Sequence, residues 1–173
     1  MEEYDIKEHT HWFAAWAASR AASVKDFRFS VAKGKSWIEA VDGLRDCVCD
    51  PSNLPDPKEF DETHRKWRER IIQVSHRPMK HGVAAKLVNI YLKVAVVQCS
   101  FVNLPKVKAV HPPIDSVLLS QLRRIDSGFL RSRSLIWTQF GSDEYEKVIK
   151  GIQDLLGEGE ALWKIEKYWR GHR

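Results

Sequence analysis

The chain is poor in cysteine, with three in 173 residues, and it contains no long uninterrupted apolar run. An odd count, with Cys47 and Cys49 one residue apart and no second pair, makes a poor disulfide framework and a poor zinc site, so free buried thiols are expected. The longest apolar stretch, Val83 to Cys99, is interrupted by Lys86, Asn89, Lys93 and Gln98. That excludes a membrane span, which needs about 18 consecutive apolar residues. Alternating strand patterns joined by glycine turns are missing, which disfavours a sheet protein. The start, Met1-Glu2-Glu3-Tyr4-Asp5, is acidic where a secretory leader is basic, so a cytoplasmic protein is expected. Without an internal repeat, low-complexity tract or linker, residues 1–173 read as a single domain.

What is present is an ordinary globular composition, 43% hydrophobic and 29% charged, with a formal net charge of +5. The excess base permits a polyanionic partner without requiring one. Its distribution is informative. Acid concentrates in residues 1–8, 42–62 and 143–160, whereas residues 80–133 carry nine Lys and Arg against Asp115 and Asp126.

Helical spacing dominates, and it predicts an all-α chain of about seven helices. The first runs from about His9 to Val24 with Trp12, Phe13, Trp16 and Ala17 as its apolar face. The second follows Gly34 with Ser36 as cap, and the third starts at Asp56-Pro57 and stops near Arg77-Pro78. The fourth, Lys80 to Cys99, is apolar on nearly every side and reads as the central helix. The fifth opens at Ile114-Asp115 and ends near Arg124. The sixth covers Ser142 to Ile152 and the seventh Leu162 to Trp169.

Two groups of residues could carry chemistry. Lys86, Asn89 and Lys93 lie along one stripe of the fourth helix. Two lysines in partly desolvated surroundings disfavour each other's charge, which is how an amine becomes a Schiff-base nucleophile. The plainer alternative is that both stems snorkel to solvent. Asp115, after His111-Pro112-Pro113-Ile114, falls in the first turn of a helix, where backbone N–H groups and the dipole favour a carboxylate. Turned to a cleft, it would stabilise a cation or activate water. Otherwise it is a helix cap assisted by Ser116.

The order of these parts, His81-Gly82-Val83-Ala84-Ala85-Lys86, an apolar helix, then His111-Pro112-Pro113-Ile114-Asp115, resembles the helix-hairpin-helix DNA glycosylases. That family has a Gly-Val-Gly-x-Lys turn and a later Pro-Val-Asp; Ala84 replaces the second glycine here. The resemblance implies that Asp115 is the catalytic carboxylate and that Lys86 or, as in the archaeal 8-oxoguanine branch, Lys93 is the nucleophile, with Asn89 orienting one of them or the base. A further set, Lys86 to Lys93, His111 to Asp115, Trp137-Thr138, Glu144-Tyr145 and Glu166 to Trp169, resembles anti-phage glycosylases that remove glucosylated 5-hydroxymethylcytosine. It implies double-stranded DNA, in particular glucosylated phage DNA, as substrate, with no cofactor, metal, membrane or obligate protein partner.

A base-excising enzyme flips its target between aromatic or apolar walls. Trp12, Trp16, Trp37 and Trp137 are candidate walls, although aromatics at helical spacing are commonly core. Lys80, His81, Arg123, Arg124, Arg131 and Arg133, with backbone N–H groups at Gly82, are candidate DNA contacts. Gly34-Lys35-Ser36 is not a phosphate loop, since Phe29 stands where its first glycine belongs. The competing expectations are an 8-oxoguanine-type repair glycosylase/lyase, a non-enzymatic helical nucleic-acid-binding module, and an RNA-directed nuclease or regulator.

Overall fold

A computed structural model describes residues 4–99, 102–126, 128–132 and 135–171. Among these, all regular structure is helical and forms one compact domain, apart from an isolated bridge between Val24 and Phe27. Helix α1 (Ile6–Ala22) starts at Asp5, whose carboxylate accepts the Glu8 N–H at 2.9 Å. Its buried face is His11, Ala14, Ala15, Ala18, Ser19 and Ala22, while Trp12, Phe13 and Trp16 are about half exposed. This reverses the expected apolar face. Small side chains win the inward position because they let the helix backbone lie close against its neighbour, which bulky indoles prevent.

Helix α2 (Val31–Glu39) is capped by Ser30, which accepts the Lys33 N–H at 3.3 Å. The expected cap Ser36 lies inside the helix, and Gly34, expected as a breaker, is interior because a Cβ there would stand 2.1 Å from Ser19 Oγ. Close helix contact, not flexibility, explains that glycine. Helix α3 (Phe60–Ser75) begins a turn later than Asp56-Pro57 and ends at His76, in the left-handed region at φ 49°.

Helix α4 (His81–Ala95) is the core element, flanked by α1 and α3. It stops at Ala95 and passes through a 3₁₀ turn, Val97–Cys99. With a mean hydropathy of 1.4, His81–Cys99 does meet the length and composition of a membrane span, contrary to the expectation from its polar interruptions. In the fold that apolarity is used internally: Val83, Ala84, Leu87, Val88, Tyr91, Leu92 and Ala95 are buried.

Two short helices, α5 (Pro105–Lys108) and α7 (Phe129–Ser132), flank α6 (Ser116–Ile125). Helix α8 (Ser142–Leu156) follows, its Glu144 side chain accepting the Gly141 N–H at 3.3 Å. The expected seventh helix is a 3₁₀ segment, Leu162–Tyr168. All three thiols are free; Cys47 is buried, but Cys49 and Cys99 are only partly so, their sulfurs 3.9 Å apart.

Candidate active site

Helix α4 presents Lys86 in its second turn, and α6 presents Asp115 at its N-cap. The two prolines before Asp115 impose an extended approach, and Asp115 itself is extended (φ −145°, ψ 177°), so its carboxylate folds back over the helix start. Oδ1 accepts the Leu118 N–H at 2.8 Å. Oδ2 accepts the Trp169 indole N–H at 3.0 Å and faces Lys86 Nζ at 3.7 Å. Asp115 is thus a helix cap, as the plainer sequence reading has it, and also the partner of the Lys86 amine.

Lys86 Nζ also stands 4.4 Å from the centre of the Trp137 ring. The Lys86 and Asp115 side chains are only 11% and 19% exposed. Burial lowers the Lys86 pKa below the ordinary amine value, while the Asp115 charge and hydrogen bond oppose the shift. Each member of the pair therefore has an indole neighbour, Trp137 at the amine and Trp169 at the carboxylate, in partly desolvated surroundings. The larger clefts lie elsewhere: one of about 830 Å³ is lined by Pro57, Lys108, Asp154 and Leu162, another of about 540 Å³ by Lys93 and Trp163.

The other expected residues are placed differently. Lys93 forms an ion pair with Glu166, away from Asp115. Asn89 is completely buried and bonded to His64, Pro112 and Tyr145, so it touches neither lysine nor solvent. Of the candidate walls, only Trp137 meets Lys86. Trp12 contacts Glu8 and Lys35, Trp16 stacks on Phe13, and Trp37 is buried against Phe29 with ring centres 4.8 Å apart.

Gly82 is not a phosphate cradle. It is inside α4, its N–H is directed at Phe140 O (3.3 Å), and a Cβ there would come within 1.8 Å of the Trp137 carbonyl oxygen. Glycine is needed because the segment bearing Trp137 crosses the first turn of α4 at backbone contact. His81 beside it is partly buried, its Nδ1 has no hydrogen-bond partner, and burial lowers its pKa. Lys80, Arg123, Arg124 and Arg131 are exposed, and Arg133 lies outside the described residues. Arg123 and Arg124 are in the last turn of α6, about 12 Å from Asp115 along the axis at 1.5 Å per residue.

Sequence reasoning did not place Trp169 at this site, though the Glu166 to Trp169 motif contains it. It also missed His64 and Arg68, which with Tyr145 cluster in the interior around Asn89 and His111, and Asp61, which meets His111 from the exposed side. Among the described residues, no group of three or more His, Cys, Asp or Glu side chains converges on a metal position. No protein-family model, curated protein or solved structure matches this chain.

Proposed function

We propose that the chain is a DNA glycosylase of the helix-hairpin-helix type, which flips out a modified base and cleaves its N-glycosidic bond. The observation that supports this most is the Lys86–Asp115 pair, 3.7 Å apart, with Trp137 beside the amine and Trp169 bonded to the carboxylate. Asp115 stabilises the oxocarbenium-like sugar as the base departs with the bond's electron pair and gains a proton. Lys86, rather than the Glu166-bound Lys93, supplies the nucleophile. The neutral amine adds to C1′, loses a proton, and becomes a Schiff base on ring opening. The burial that lowers its pKa favours the neutral amine this step needs. Water takes the amine's place in a monofunctional enzyme.

Trp137 and Trp169 have the chemistry of stacking walls for a flipped base. Lys80, Arg123, Arg124 and Arg131 are the phosphate contacts in this reading. The resemblance to anti-phage glycosylases supplies the substrate, glucosylated 5-hydroxymethylcytosine in phage DNA encountered in the cytoplasm.

Incubation with glucosylated phage DNA and with matched unmodified DNA, followed by alkali, tests this. Strand cleavage of the glucosylated DNA alone is expected, and borohydride should trap a covalent adduct with wild type but not with Lys86→Met. Base release from neither DNA, with binding retained, would replace this reading by a helical binding module. The exposed arginines at the end of α6 favour that second reading. It predicts that charge reversal at Arg123 and Arg124 abolishes function while Asp115→Asn leaves it intact.

A further inference from the structure

Asn89 lies three residues beyond Lys86 on α4, and Pro112 lies three residues before Asp115. The Asn89 side chain has no solvent exposure and joins these two segments directly. A carbonyl oxygen can only accept, so the Pro112 oxygen, 2.9 Å away, fixes which side of the carboxamide is nitrogen. The second amide hydrogen points to Tyr145 Oη at 3.0 Å, and Oδ1 accepts from His64 Nε2 at 2.8 Å.

The remaining directions follow by elimination. Tyr145 accepts from Asn89, so its own hydroxyl hydrogen goes to His111 Nδ1, 3.0 Å away. His111 Nδ1 is then unprotonated, and its Nε2–H donates to Asp61 Oδ1 at 2.8 Å. The chain reads His64 to Asn89 to Tyr145 to His111 to Asp61, each group donating to the next, with a side branch from Asn89 to Pro112. It requires His111 neutral, since its Nδ1 accepts, while His64 enters only as a donor through Nε2. Burial lowers the pKa of His64 and of His111, aided at His64 by repulsion from His111 whenever that ring is protonated and by the Arg68 charge, and opposed at His111 by Asp61.

We propose that Asn89 is a positioning residue: its directional bonds, fixed by the chain from His64 to Asp61, set the His111–Asp115 segment against α4 so that the Asp115 carboxylate meets Lys86. A buried carboxamide in an apolar helix is costly unless every donor and acceptor is matched, and here each one is. A leucine would fill the same space without fixing the height of the segment. The consequence for turnover rests on the glycosylase reading; the geometric claim does not.

The test uses the full chain, free of DNA, with labelled lysine and tryptophan, assigned by Lys86→Met and Trp169→Phe and read by NMR. In Asn89→Leu, loss of the opposing carboxylate should move the Lys86 titration midpoint down and shift the Trp169 indole N–H signal. Tyr145→Phe frees one Asn89 hydrogen but keeps the Pro112 bond, so it should give smaller shifts in the same direction. If Asn89→Leu does not fold, Tyr145→Phe decides alone. An unchanged Lys86 midpoint and Trp169 signal in a folded variant would overturn the proposal. Where wild type releases base, kcat should fall in Asn89→Leu with KM little changed. Where wild type releases none, the glycosylase reading fails while the NMR result still stands for or against Asn89.

Discussion

Helix α4 has two working faces, and they are held by different physics. The stripe through Ala84, Val88, Tyr91 and Ala95 belongs to the side that meets the alanine face of α1, with one polar contact, His11 Nδ1 to the Tyr91 hydroxyl at 2.8 Å. The stripe through Lys86, Asn89 and Lys93 meets α6, the His111–Asp115 segment and the C-terminal 3₁₀ segment through a few directional bonds. On the first face stability is spread over many small dispersion contacts, none essential. On the second it rests on single atoms with no substitutes. Mutations should therefore affect stability on one side and geometry on the other.

The largest effect is expected from Asp115→Asn, which keeps the cap on Leu118 but removes the charge facing Lys86. Base release should fall by roughly 10²–10⁴-fold with the helical circular dichroism unchanged. Full activity would remove the carboxylate assignment. Next is Gly82→Ala, since the new methyl would need the space of the Trp137 carbonyl. We expect a loss at or above the usual overpacking range of about 1–3 kcal/mol in denaturant titration, together with a changed Lys86 titration as Trp137 is pushed off the amine. Ala18→Leu, on the α1 face, should cost about 1–3 kcal/mol but leave the Lys86 titration where it was. Equal disturbance of Lys86 by both variants would erase the distinction between the faces.

A smaller effect concerns pH. His64 and His111 are buried with pKa values below the ordinary 6.5, surrounded by Asp61, Arg68, Glu146 and Tyr145. As pH falls below 6.5 the unfolded chain takes up protons that the folded chain refuses, so stability declines. The slope is at most about 1.4 kcal/mol per pH unit for each histidine, continuing until its folded pKa is reached. Denaturant titrations between pH 7.5 and 5 check this, and a flat profile would show that the imidazoles take up protons as readily in the fold as in the unfolded chain. The smallest effect is predicted for Lys93→Met. Its ammonium is partly exposed and paired with Glu166, so loss of the pair should cost less than about 1 kcal/mol and leave base release near wild type.

The helical class, the central place of α4 and the position of Asp115 at a helix start were legible from spacing and turn chemistry alone. The inward face of α1 was not, because hydrophobicity favours the tryptophans whereas backbone approach favours Ala14, Ala15, Ala18 and Ala22. Gly34 and Gly82 misled for one reason: a glycine reads as a break or a cradle in sequence, yet both serve close crossings by residues distant in the chain. Which of Lys86 and Lys93 stands opposite Asp115 was equally out of reach. It depends on where the segment after α8 returns, placing Glu166 at one lysine and Trp169 beside the carboxylate that faces the other. Nor does composition reveal that Asn89 is satisfied by three partners far from it in sequence.

The crossing at Gly82 also determines which parts of the site can move independently. Trp137 is borne on a stretch whose backbone rests on the first turn of the helix that carries Lys86, one turn before that lysine. Wall and amine therefore behave as one rigid jaw, and lifting the indole would drag the helix start with it. Trp169 goes with the carboxylate instead, joined to Asp115 by a side-chain bond just after a short 3₁₀ stretch with weaker internal bonding. The amine's aromatic neighbour is thus fixed through backbone contact, and the carboxylate's through a side-chain bond.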